Sequence, residues 1–92
     1  MINLTLKTPS EIDLELAGRL AGIRKRRKIT QQTLAKKAGV SLGSLRRFEQ
    51  TGEISLHALT QLCIALSLEG ELEGLFQQPE FLSIDEVIHG KG

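Results

Sequence analysis

Residues 30–52, TQQTLAKKAGVSLGSLRRFEQTG, restrict the folds open to this chain more than any other stretch. They hold two sets of helix start and stop signals in quick succession. Thr30 is an N-cap candidate for a helix through Lys37, and Ala38-Gly39-Val40 supplies a glycine-containing turn. Ser41 is a second N-cap candidate, for a helix running to about Gln50 before Thr51-Gly52 stops it. A helix, a glycine turn and a second helix bearing arginines form the layout of a helix-turn-helix, whose second helix enters a DNA major groove.

The charge map agrees with that layout. A formal net charge of +1 hides a strong segregation. Of the 12 Lys and Arg residues, all but Lys7, Arg19 and Lys91 lie between Arg24 and Arg47, where no Asp or Glu occurs. The C-terminal third is acidic, with Glu69, Glu71, Glu73, Glu80, Asp85 and Glu86 and no base among them. A solvated lysine-rich face normally carries interspersed acids; an acid-free basic stretch attracts phosphate through counterion release, whatever the base sequence.

Ninety-two residues suffice for one small domain with a single core. No apolar run is long enough to span a membrane, and the start MINLTLKTPS lacks the basic and apolar regions of a secretory signal. Cys63 is the only cysteine, so neither an intramolecular disulfide nor a multi-cysteine zinc site is expected. These features fit a cytoplasmic protein.

Along the chain, residues 1–9 form an extension in which Ile2, Leu4 and Leu6 alternate with polar residues. This is a strand signal that needs a partner, either a second copy or another protein, and its alternative is a frayed end. Pro9-Ser10-Glu11 opens a first helix, with Ser10 as its expected cap and Ile12, Leu16, Leu20 and Ile23 as its core stripe. Leu14 lies off that stripe and marks a possible second contact surface. Ser55 caps a fourth helix bearing Leu56, Leu59, Leu62, Cys63 and Leu66, and a fifth runs from about Glu69 to Phe76. Residues 10–76 therefore read as an all-α domain, followed by a tail over 77–92.

The residues that carry a resemblance are Thr30, Gln31, Leu34, Ala35, Gly39, Val40, Ser41, Leu45, Glu49 and Gly52. With residues 16–75 around them, they resemble the Xre/Cro/C1 family of helix-turn-helix repressors. That likeness implies a five-helix, lambda-repressor-like DNA-binding domain. Leu34, Ala35, Val40, Leu45 and Phe48 are the small and apolar groups that lock the two helices at an angle, so they are core. The exposed face of the second helix is Ser41, Leu42, Gly43, Ser44, Arg46 and Arg47. The family resemblance places Leu42, Gly43 and Arg47 towards base edges and Ser44 and Arg46 nearer the backbone. Arginine bidentate to guanine is the commonest specific contact, and Arg47 is the candidate for it. Gln31 stands at a helix N-terminus, where free amides suit a phosphate oxygen. Arg26, Arg27, Lys28, Lys36 and Lys37 are further phosphate candidates. The resemblance implies a different role for Arg24, an ion pair with Glu49.

Catalysis finds little support. His57 and His89 are far apart in sequence, His57 is expected at the exposed start of helix four, and Cys63 falls within an apolar stripe. No cofactor or metal is expected. The tail, after Leu75-Phe76, resembles those of HipB-type antitoxins, subunits of HipBA-like toxin–antitoxin systems partnered with a HipA-type kinase. This implies a homodimeric repressor that binds a palindromic operator in double-stranded DNA, autoregulates its operon and binds the kinase. Leu72, Leu75, Phe76, Phe81, Ile84, Val87 and Ile88 are the candidate dimer or partner contacts. The alternatives are a stand-alone prophage-type repressor and an interaction protein whose main task is toxin neutralisation.

Overall fold

The computed structural model describes residues 6–77. Over them the chain forms α1 (Pro9–Arg26), α2 (Gln31–Ala38), α3 (Leu42–Thr51), α4 (Leu56–Ala65) and α5 (Glu69–Glu73), with no strand among the described residues. The fold is all-α and of the lambda-repressor-like kind. The alternating segment ending at Leu6 lies mostly outside the described residues, as does the tail from residue 78.

Each of the first four helices begins on a hydroxyl cap. Thr30, Ser41 and Ser55 accept from the amides of Thr33, Ser44 and Ala58 respectively. In α1 the cap is Thr8, not Ser10. Thr8 Oγ1 accepts from Glu11 N at 3.1 Å and Glu11 Oε1 accepts from Thr8 N at 2.8 Å, a reciprocal capping box. Pro9 then occupies the first helical turn, where its missing N–H costs nothing.

The helix ends are equally local. At the end of α1, Ile29 N donates to Arg24 O and Lys28 N to Lys25 O, with Lys28 left-handed at φ 58. The same pair of bonds closes α2 around Gly39 and α4 around Ser67, whose φ is 60. Helix α5 ends at Glu73 rather than Phe76. Gly70 and Gly74 weaken so short a helix, and Phe76 is itself left-handed.

The core comprises Ala17, Leu20, Leu34, Ala35, Val40, Leu45, Phe48, Leu62, Cys63, Ala65 and Leu66. Helix α1 keeps Leu20 of the expected stripe in the core and Ile23 half-buried, but not its first two members. Ala17, Leu20, Ala21 and Arg24 are buried, whereas Ile12 and Leu16 are 48% and 46% exposed. The reason is close approach. Alanine at positions 17 and 21 lets α1 settle on α3, and Gly52 at the end of α3 touches the α1 backbone directly. A Cβ at Gly52 would stand 2.7 Å from the carbonyl carbon of Asp13 and 2.8 Å from the nitrogen of Leu14. Larger residues at 12 and 16 are left at the rim of this contact.

Helix α2 packs on both α3 and α4, and α5 rests on α4. The side chains of Leu34, Leu45 and Leu62 are wholly inaccessible, and burial of each contributes roughly 1.5–3 kcal/mol. In α4, Leu56 is mostly exposed while Leu62 and Cys63 face inwards, as does Leu66 just after the helix.

Candidate nucleic-acid interface

The angle between α2 and α3 is held by one buried polar cluster. Arg24, from α1, reaches Glu49 of α3 with Nε at 2.7 Å from Oε2 and Nη2 at 2.9 Å from Oε1. Its Nη1 donates to the Ile29 carbonyl at 2.8 Å, and Gln31 Nε2 from α2 donates to Glu49 Oε1 at 2.8 Å. One guanidinium and one carboxylate therefore join α1, the connection to α2, α2 and α3. Both charged side chains are over nine-tenths covered. Burial would raise the Glu49 carboxyl pKa, but bonds from Arg24 and Gln31 and the nearby positive charges outweigh it, and the group is held below its ordinary value.

This geometry gives Gln31 a use besides phosphate. Its side-chain nitrogen is engaged by Glu49, while its backbone amide stands in the first turn of α2, where no helical carbonyl precedes it. Arg27 departs from a purely solvent-facing phosphate role: its Nη1 donates to the Leu66 carbonyl at 2.5 Å, joining the end of α1 to the end of α4. Arg26, Lys28, Lys36 and Lys37 are exposed.

Helix α3 turns Leu45 and Phe48 into the core and leaves Gly43, Ser44, Arg46 and Arg47 exposed. Ser41 is committed locally; its hydroxyl caps Ser44 N at 3.0 Å and donates to Ser44 Oγ at 2.8 Å. Leu42 is only half-exposed and packs against the core, so part of its surface serves the fold. A side chain at Gly43 would meet nothing within 4 Å, so internal packing does not require glycine there. The N-termini of α2 and α3 add free amides and the positive ends of two helix dipoles, both suited to phosphate oxygens.

Arg47 is 68% exposed, yet it is not free. Its Nε lies 3.0 Å from Glu53 Oε1, and its Nη2 also donates to that oxygen. Sequence reasoning missed Glu53. The available signal is the stop at Gly52, which is left-handed at φ 84. A left-handed cap turns the chain back over the last helical turn, so the residue after it lands beside α3.

The candidate partner contacts divide. Leu72 packs against the core, while Leu75 and Phe76 are exposed, Phe76 at 93%. Phe81, Ile84, Val87 and Ile88 lie outside the described residues. His57 is exposed at the start of α4, and Cys63 is buried with its thiol pKa pushed up by burial and by Glu71 and Glu69. Among the described residues no group of three or more His, Cys, Asp or Glu is placed to hold a metal, and no helix is long and apolar enough to cross a membrane.

A family model described as helix-turn-helix matches residues 10–71, which take in α1 from its second residue, all of α2, α3 and α4, and the first part of α5. No curated protein matches the chain.

Proposed function

We propose a function on the premise that this chain belongs to the helix-turn-helix family, whose domain is that of a DNA-binding transcription regulator: it is a sequence-specific repressor that binds as a homodimer to a palindromic operator. The observation that carries this reading is the pair α2–α3, locked by Arg24, Glu49 and Gln31, with the exposed arginines of α3 in a stretch free of acids. Two copies of α3 enter successive major grooves, with half-sites about one helical turn apart, roughly 34 Å. Arg47 reads a guanine edge, Gly43 allows the helix backbone close to the bases, and Ser44 and Arg46 hold the adjoining phosphates. Arg26, Lys28, Lys36 and Lys37 add attraction that is independent of sequence.

The finer reading is that this repressor is the antitoxin of a HipBA-like operon, in the cytoplasm, and also holds a HipA-type kinase. Support comes from the tail's resemblance and from exposed apolar groups outside α3, among them Leu6, Leu14, Leu75 and Phe76. Leu75 and Phe76 lead into the acidic tail, and with residues 77–92 they supply the dimer or kinase contacts.

The experiment begins with footprinting of the chain on the promoter of its own operon. In a mobility-shift assay, Arg47→Ala lowers operator affinity by at least about tenfold, consistent with roughly 1–3 kcal/mol for a bidentate base contact, while circular dichroism stays native. An unchanged shift with a folded variant removes Arg47 from the reading surface. Deleting residues 77–92 abolishes co-purification with the neighbouring gene product; DNA binding is spared where the tail serves the kinase and weakened where it also serves the dimer, and retention of both removes the tail's role.

A further inference from the structure

The geometry points to Glu53 as a positioning residue for base recognition: it holds Arg47 side-on so that the guanidinium presents one fixed edge to the DNA. The inference rests on the assignment of Arg47 as the base-reading residue. Four bonds form a closed ring that begins and ends on Arg47. Its carbonyl accepts from Thr51 Oγ1 at 2.7 Å, and the same hydroxyl accepts from Glu53 N at 3.1 Å. Glu53 Oε1 then accepts from both Nε and Nη2 of Arg47. Gly52, left-handed at φ 84, makes the return possible. The backbone of Glu53 is thereby pinned to the turn from which Arg47 springs, and its carboxylate fixes the far end of that side chain.

The donors left over have the right arrangement. A guanidinium carries five N–H groups in a plane, and the side-on bond to Glu53 occupies the Nε edge. The end-on edge formed by Nη1 and the second N–H of Nη2 has no hydrogen-bond partner among the described residues, and two parallel donors are what guanine O6 and N7 accept. Without such a support, an arginine at the surface samples many rotamers and reaches phosphates as readily as bases. The two side chains are 68% and 61% exposed, so their pairing adds little to fold stability. Its consequence lies in orientation. Glu53 also places a negative charge near the DNA, which weakens binding to any sequence; a fixed reading edge offsets this by raising the difference between right and wrong sequences.

The test is selection from a random-sequence duplex pool with the full chain and with Arg47→Ala, Glu53→Ala and Glu53→Gln, followed by titration of the preferred and a scrambled duplex. The result expected is that Arg47→Ala erases a guanine preference at one base pair per half-site. Glu53→Ala weakens that same preference by about threefold to tenfold, while affinity for scrambled DNA is unchanged or higher. Glu53→Gln, which keeps the accepting oxygen, recovers part of the preference. If Glu53→Ala raises affinity for both duplexes equally and leaves the preference intact, Glu53 merely repels phosphate and the inference is overturned while Arg47 keeps its role. If Arg47→Ala itself leaves every base preference unchanged, the assignment of Arg47 fails and the inference falls with it.

Discussion

Glu49 accepts three hydrogen bonds, two from Arg24 and one from Gln31, with its side chain over nine-tenths covered, so a change there reaches three helices at once. Removing its charge leaves Arg24 buried without a counterion. Breaking a buried pair in this way costs roughly 3–5 kcal/mol, so Glu49→Gln lowers the urea midpoint sharply at neutral pH. The pH dependence has a definite sign. Because the folded carboxyl pKa lies below its ordinary value of 4.5, the pair's contribution is complete above that value and is lost as pH falls through the lowered one. The stability difference between wild type and Glu49→Gln therefore narrows in acid, and urea titrations from pH 7 down to pH 3 measure it. A widening gap contradicts the assignment. Gly52 is the second sensitive position. An alanine there meets both a left-handed backbone and the backbone of Asp13 and Leu14. Overpacking against an unyielding neighbour costs about 1–3 kcal/mol and the backbone strain about 1–2 kcal/mol. Thermal melts of Gly52→Ala should show a loss at the upper end of that combined range.

Helix α3 serves two masters at the level of the element. Its inward face, Leu45 and Phe48, is fixed by packing, while Gly43 on the outward face has open space around it. Glycine inside a helix is destabilising by roughly 0.5–1 kcal/mol relative to alanine. Gly43→Ala should consequently raise the melting temperature and at the same time weaken operator binding, since the added methyl intrudes between helix and bases. Paired melting and mobility-shift measurements decide the matter; a variant that is more stable and binds undiminished would show that the bases do not approach that point. The divergence in sign is informative because loss of fold cannot produce it. Helix α1 illustrates a different constraint. Its pattern of large apolar residues at 12, 16, 20 and 23 suggests one face, but of these only Leu20 is buried, beside the smaller residues at 17 and 21. Backbone proximity, set by Gly52, outweighs the preference for burying the largest side chains.

For the whole molecule, the separation of charge governs how binding responds to conditions. The cations between Arg24 and Arg47 are not all equivalent, because Arg24 is buried with Glu49 and Arg27 is tied to Leu66. Arg26, Lys28, Lys36, Lys37 and Arg46 remain exposed. If a dimer uses several of these from each copy, some 6–10 phosphates are neutralised, and affinity falls roughly 10³–10⁵-fold between 50 and 200 mM salt. Titrations over that range give the slope directly, and a shallow slope of two or three would mean that most of these cations face away from the DNA.

Signals that act within three or four residues were readable along the chain. The caps at Thr30, Ser41 and Ser55 and the left-handed stops at Gly39 and Gly52 each depend on a hydroxyl or a missing Cβ near one helix end. At α1 the expected cap, Ser10, gives way to Thr8, because the reciprocal bond with Glu11 selects Thr8. Apolar residues in the motif likewise went to the core, since the two short helices have only one apolar face each. What spacing cannot supply is which long polar side chains meet across elements. Arg24 and Glu49 are 25 positions apart, and only the family resemblance, not their spacing, implied the pair that the structure shows. Arg27 and Leu66, 39 apart, carried no signal, and both contacts exist only once the helices have packed. Glu53 beside Arg47 belongs to the same class despite its nearness, because the return at Gly52 brings them together in space. Local backbone chemistry thus decides where helices begin and end, and tertiary packing decides which charges hold the fold and which remain for DNA.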